Sequence, residues 1–452
     1  MSQETVRRPD GSASKDDKAE TSQALFCALA DYCGSNEVDK WLSPQKVKTK
    51  GSGFETYSEF KNKWNEHFGK KNASIKEIFE ERVLSGKATY KQIDEFLTEK
   101  TDWYISSVLI SNALIKDTTH LGKIHGKIKG IGWKSIFYEQ KNITMNNIEI
   151  LFKQANDKQK KNVDEKTKKT FIPFGDINKW CPADIYFTSE KAEKNILSLT
   201  SGKKFKDITF FQLNDILGKL IDDGELLPLS LKKQTSNVTI KKVNFNKSED
   251  WKEIEKIGGG KVLWKKYPTN LTNLPSNPPA RDMKIFLTNT NSEDDKIVLR
   301  HDSSTAVFKG EIVLKGMEAR GGSLGLEQIT SIISLIDESI ANKIKSAYDK
   351  GNRSFKISKK PIREKYENAV KAAGLNIKSQ IPKDKQLIGK IRKDLKYDDL
   401  VGQLSAVYVT NPIFSILKTF LDDDDCKSNF IRMVYAYSSS QSFESAKFVV
   451  AK

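Results

Sequence analysis

The chain has 452 residues, enough for two or three domains with a sizeable core, and its 37% apolar and 30% charged content excludes a chain that is fibrous or disordered as a whole. Lysine and arginine number 76 against 59 acids, a formal charge of +17, which points to an anionic partner, nucleic acid first among them. No apolar run of about eighteen residues is present, so no membrane span is expected.

Residues 1–20 read as a flexible tail without the apolar core of a signal peptide. TSQALFCALADYCGS (21–35) has helical spacing, with Thr21 or Ser22 as its cap. A polar stretch runs to about residue 53. FETYSEFKNKWNEHF then puts Phe54, Tyr57, Phe60, Trp64 and Phe68 on one helical stripe, and further helices follow to about residue 115. Glycines interrupt the pattern in HLGKIHGKIKGIGW (120–133), whose Lys123, His125, Lys127 and Lys129 suit either a loop gripping a nucleic-acid backbone or a plain lysine-rich turn. A helix from Thr144 and a basic hinge near 155–168 close a helical N-terminal domain, 21–168.

From residue 169 to 452 the pattern is that of one mixed α/β domain. ADIYF reads as a strand, SEKAEKNILSL and FFQLNDILGKLIDDG as helices, ELLPLSLKK and NVTIKKVNF as strands. A Pro- and Asn-rich loop (268–280) precedes the strands MKIFLTN, KIVLRHD, TAVFKG and EIVLKG, and a glycine turn leads into a long helix from LEQ. Cys27, Cys33, Cys181 and Cys426 form no C-x-x-C pair, which excludes a zinc or disulfide framework and suits reduced intracellular thiols.

The chemistry concentrates at two strands. Asp184 follows Pro182 and opens DIYF, with Asp184 and Tyr186 on one face by alternation. LPLSL is nearly all apolar, as in a central strand, although Pro228 favours an edge or bulge. Ser230 and Lys232 share a face, so neighbouring strands would bring Asp184 and Lys232 together. A carboxylate beside an apolar strand must be paired or bound to a cation. With a divalent metal it would polarise a phosphodiester, while the lysine orients water or balances charge. The plain alternative is a turn aspartate and solvated strand-end lysines.

PADI and SLKK in this order resemble the PD-(D/E)XK, or restriction-endonuclease-like, nuclease superfamily, whose mark is an aspartate opening one strand and an acid-x-lysine on the next. The resemblance implies a restriction-like mixed-sheet fold and Mg²⁺- or Mn²⁺-dependent cleavage of DNA. It makes Asp184 the metal ligand and Lys232 the water-orienting group, with Ser230 at the place usually held by Asp or Glu and supplying a backbone carbonyl. The missing acid leaves Glu225 as the substitute second ligand, with Glu190 and Glu193 as others. An upstream acid stays unassigned among Glu139, Glu149 and Glu165. The layout from WCPADIYF to LSLKK is also similar to uncharacterised proteins of large phages, across about residues 170–450.

Beyond that pair, Lys233 is a candidate nucleic-acid contact, and Lys241 and Lys242 either line the same groove or are plain surface lysines. Lys315, Arg320, Gly321 and Gly322 precede the long helix as candidate phosphate contacts, since amides at a helix start favour anions. His301 reads as a structural or surface residue and Trp264 as core. Ser438 to Ser440 would either touch phosphate or form a turn.

The expectation is therefore a metal-dependent DNA nuclease, acting in the cytoplasm of a host cell or packaged in a virion. DNA is the expected partner, with RNA an alternative and no membrane involved. Two rivals stand beside it: a non-catalytic nucleic-acid-binding protein on a degenerate nuclease fold, and a virion-associated structural protein that meets phage structural partners.

Overall fold

The fold is a computed structural model that describes residues 13–83, 88–116, 128–129, 143–161, 172–201, 208–269, 279–290, 293–301, 308–313, 323–372 and 405–451. The described residues are α+β, predominantly helical, and hold two five-stranded sheets. It forms two compact units: Met1–Gln159, Asp176–Lys247 and Phe443–Lys452 make the first, and Lys160–Gly175 with Ser248–Ser442 the second.

The first unit begins with helix α1 (Lys15–Cys33), earlier than the expected 21. Ser14 caps it: the Ser14 Oγ accepts from the Asp17 amide at 3.0 Å, and the Asp17 carboxylate accepts from the Ser14 amide at 3.0 Å. Residues 13–20 thus belong to a folded helix rather than a tail, whereas residues 1–12 lie outside the described residues. Helices α2 (Val38–Trp41), α3 (Tyr57–Phe68), α4 (Ile75–Arg82), α5 (Tyr90–Glu99) and α6 (Thr101–Lys116) follow. The expected aromatic stripe is real and buried at Tyr57, Phe60 and Trp64. Trp64 stacks against Phe68 with centroids 4.5 Å apart, and its Nε1 donates to the Ala73 carbonyl at 2.9 Å.

Strand β1 (Ile128–Lys129), helix α7 (Ile143–Lys161), helix α8 (Ile177–Trp180), strand β2 (Ile185–Thr188), helices α9 (Glu190–Ser201) and α10 (Phe210–Asp222), and strands β3 (Leu226–Leu231) and β4 (Ile240–Val243) complete this unit with the C-terminal strand β10 (Phe448–Ala451). The sheet order is β1-β2-β3-β10-β4. Only the β3–β10 pair is parallel; the others are antiparallel. Ile185, Phe187, Leu227, Leu229, Leu231, Val449 and Ala451 join one hydrophobic core with α1–α6. By alternation Tyr186 and Ser230 take the other face.

These units do not coincide with the expected division into 21–168 and 169–452. The strands from 185 to 243 and the last strand build their core against the N-terminal helices, so they belong to the same unit. Alternating apolar residues show which face is buried but not which partner covers it.

Pro228 lies in a central strand. The Leu229 carbonyl accepts from the Asp184 amide at 2.8 Å, so Leu229 points its polar groups to β2 and Pro228 points away. On that far side the β10 register begins only at Leu229, where the missing N–H breaks no bond of the ladder.

The second unit contains helix α11 (Lys247–Glu255), all but its first residue, and an antiparallel sheet in the order β5-β6-β7-β8-β9. Its strands are β5 (Gly258–Leu263), β6 (Met283–Thr288), β7 (Lys296–His301), β8 (Phe308–Val313) and β9 (Ser323–Gly325). Helices α12 (Leu326–Ile336), α13 (Glu338–Ala372), α14 (Asn411–Phe420) and α15 (Asp424–Ser438) accompany it. Met283, Ile285 and Leu287 alternate inward along β6, with Ile297 and Leu299 opposite on β7. Among the described residues, no helix is long and apolar enough to cross a membrane.

Candidate functional site

Strands β2 and β3 are antiparallel neighbours, with Ile185 opposite Leu229 and Tyr186 opposite Pro228. Short helix α8 and the buried Cys181, Pro182 and Ala183 lead the chain into β2, which sets Asp184 beside the end of β3. The Asp184 Oδ2 accepts from the Leu231 amide at 2.6 Å and from the Ser230 hydroxyl at 3.2 Å. The expectation paired Asp184 with Lys232; the contacts of its carboxylate are with Ser230 and the Leu231 amide. Lys232 follows Leu231 directly and is exposed.

Behind Asp184 on the same face, burial pushes the Tyr186 phenol well above its usual range, and the neighbouring Cys181 and Asp184 add to this. Burial likewise pushes the Cys181 thiol up to about 12, against the hydrogen bond with Tyr186. Burial thus favours the neutral form of both groups.

Glu225 is at the opposite end of the strand. It precedes Ser230 by five positions, about 17 Å at the usual strand rise. It accepts from the Ser189 hydroxyl, and Lys191 Nζ lies 3.4 Å from its other oxygen. It thus fixes the far end of β2 and cannot share a cation with Asp184, which corrects its assignment as second ligand. Ser189 and Glu190 directly follow β2 at that end, so Glu190 and Glu193 on α9 lie there too. Glu149 is buried on α7 and paired with Lys153 at 2.6 Å. Glu139 and Glu165 lie outside the described residues.

Mg²⁺ asks for a near-octahedral oxygen shell built on carboxylates, and Mn²⁺ favours the same oxygen donors. Here one carboxylate already serves an amide and a hydroxyl, and its partner at 230 is a serine. Among the described residues, no group of three or more His, Cys, Asp or Glu is arranged to hold a metal ion. The donor set around Asp184 does not fit the expected Mg²⁺ or Mn²⁺.

The other candidates separate. Lys233 pairs with Asp102 on α6, and its ammonium sits 5.2 Å from the Trp103 ring centroid. Next to it, the Gln234 amide donates to Ser106 Oγ at 2.8 Å, so the end of β3 is pinned to α6. Lys241 and Lys242 lie on edge strand β4, with the Lys242 ammonium 5.6 Å from the Phe245 ring. Lys315, Arg320, Gly321 and Gly322 lie outside the described residues, as do Lys123, His125 and Lys127. His301 is buried, with Nε2 2.7 Å from Ser405 Oγ. Trp264 packs edge-on to Phe414. Ser438 and Ser439 are buried and donate to the Tyr435 and Ala436 carbonyls, so they end helix α15.

No protein-family model, curated protein or solved structure matches this chain.

One basic segment carries no motif. KVKTKGSG (46–53) joins the first helices to α3, and its lysines have no fixed spacing to a second signature. Only the folded loop shows what surrounds them.

Proposed function

We propose that this chain is a basic nucleic-acid-binding protein whose β2–β3 strand pair is a structural clamp rather than a catalytic centre. The observation that carries the binding half is the surplus of 17 positive charges, which is the electrostatic footprint of a polyanion partner. The clamp half is supported by Asp184, whose carboxylate is occupied by Leu231 and Ser230, and by Glu225, which serves the other end of the strand. DNA is the first partner to test and RNA the second.

Metal-dependent phosphodiester hydrolysis on a restriction-like fold is a second reading. It is favoured by one observation, the meeting of Asp184 and Ser230 beside the exposed Lys232. One assay separates the two. The full chain is incubated with single- and double-stranded DNA and RNA, with Mg²⁺ or Mn²⁺ and then with chelator. Salt-sensitive binding without cleavage is the expected result. Chelator-sensitive cleavage that is lost in both Asp184→Ala and Lys232→Ala would establish the second reading instead.

A further inference from the structure

The loop from Lys46 to Glu55 is built around an anion that the chain itself supplies. The Gly51 and Ser52 amides both donate to Glu55 Oε1, the Ser52 contact at 3.1 Å. Gly51 and Gly53 have φ of +80° and +72°, a conformation that suits glycine and turns successive amides the same way. The Ser52 hydroxyl donates to the Lys46 carbonyl at 2.6 Å, and Lys63 Nζ donates to the Ser52 carbonyl at 3.0 Å. These bonds hold the amide pair in place from both sides.

Positive charge surrounds this cradle. Residues 40–72 hold eight lysines and three glutamates, the highest local imbalance that the described helical region offers. The Lys46 and Lys63 ammonium groups lie 4.9 and 5.0 Å from the centroid of the same Phe54 ring, so they are within about 10 Å of each other. Lys48 and Lys50 are exposed on the loop. Lys40 pairs with Glu37 and Lys61 with Asp94, but among the described residues no ion pair involves Lys46, Lys48, Lys50 or Lys63. Elsewhere in this unit Lys76 pairs with Glu80, Lys91 with Glu95, Lys153 with Glu149 and Lys194 with Glu190, each one helical turn away. Four ammonium groups without a carboxylate partner on one loop and its neighbouring helix, two of them held only by the Lys40 and Ser52 carbonyls, together with an amide pair that takes a carboxylate, make a site for consecutive backbone phosphates.

We propose that the Lys46–Glu55 loop, with Lys63, is the phosphate-backbone contact of this chain, and that Glu55 occupies its amide pair until a nucleic-acid phosphate displaces it. This rests on the nucleic-acid-binding reading and adds the place where binding occurs. No base edge is read there, so the contact is independent of sequence.

The test uses the full chain and labelled single- and double-stranded DNA in anisotropy titrations between about 50 and 200 mM salt. One variant carries Lys46→Gln, Lys48→Gln, Lys50→Gln and Lys63→Gln. A charge-matched control carries Lys76→Gln, Lys91→Gln, Lys194→Gln and Lys256→Gln, each of which is ion-paired on its own helix or helix end. The loop variant should bind on the order of tenfold or more weakly, with a log–log salt slope shallower by roughly 3, while the control stays close to wild type. Glu55→Gln should bind several-fold more tightly. Circular dichroism confirms that each variant is folded. Equal weakening of loop variant and control would overturn the placement and leave the binding reading intact. Absence of salt-sensitive binding by the wild type would overturn both. Tight binding to anionic lipid vesicles with none to DNA or RNA would overturn the choice of partner. A Glu55→Gln variant that binds no better than wild type would overturn the displacement by phosphate.

Discussion

Asp184 and Ser230 face each other across antiparallel strands, Oδ2 to Oγ at 3.2 Å, and the same carboxylate oxygen takes the Leu231 amide at 2.6 Å. A buried amide left without an acceptor costs about 1–3 kcal/mol. Asp184→Ala should therefore destabilise the first unit by about that amount and speed hydrogen exchange at Leu231. Asp184→Asn, which keeps one carbonyl oxygen, should cost less. Unchanged exchange at Leu231 in the alanine variant would show that the bond is not maintained in solution.

The Lys233 ammonium, hydrogen-bonded to Asp102, holds that carboxyl below the usual carboxylate range. A carboxyl whose pKa is lowered on folding adds stability that is present above its unfolded value, near 3.9, and is lost as pH falls through the folded value. Both side chains are more than a third exposed, so the contribution is screened and amounts to a few tenths of a kcal/mol. The stability difference between wild type and Asp102→Asn should be constant from pH 5 to 7 and disappear below the folded pKa. Denaturation at a series of pH values measures it, and a difference that persists under strong acid would remove the ion pair from the explanation.

Asn214 links three segments of the first unit. Its Oδ1 accepts from Trp180 Nε1 at 2.9 Å, and its Nδ2 donates to the Glu444 carbonyl at 2.7 Å. Asn214→Ala leaves the indole N–H and a carbonyl unserved just before β10. We expect a loss of about 2 kcal/mol and faster exchange at Val449 and Val450, with β5–β9 unaffected. Exchange mass spectrometry reports both regions at once.

Burial pushes the Cys33 thiol up to about 12, as it does Cys181, and it raises Cys27 further. Thiolate is the reactive form, so these three should resist aromatic-disulfide reagents in the native state at pH 8 and react on denaturation. Cys426, whose pKa burial also raises but which is only partly covered, should react first. Fast labelling of Cys27 or Cys181 without unfolding would contradict the packing described for α1 and the entry to β2.

Local pattern made the strand pair legible. The alternation in DIYF and LPLSL pointed to Asp184 and Lys232 converging across neighbouring strands; β2 and β3 are neighbours, and the contacts that Asp184 makes there are with Ser230 and the Leu231 amide. The aromatic stripe on α3 was equally clear, because Phe60 and Trp64 repeat at helical spacing. The N-terminal boundary was missed because Ser14 and Asp17 form a capping box inside a polar segment that has no apolar periodicity. Glu225 was misassigned because a list of residue types does not carry the length of a strand. The partner of Lys233 was illegible for a different reason: Asp102 lies 131 residues away and no local pattern joins them.

Strand β10 fits between β3 and β4, yet the chain from Val243 to Phe448 passes through Ser248–Ser442, the larger segment of the second unit, before the register of β10 with β4 can form. Closing so long an excursion is entropically slow, and until it closes β3 and β4 present open, apolar-flanked edges. On the ribosome the first unit must therefore wait, incomplete, while the second is synthesised. Nascent chains of this protein should need shelter from chaperones for longer than their helical N-terminus suggests.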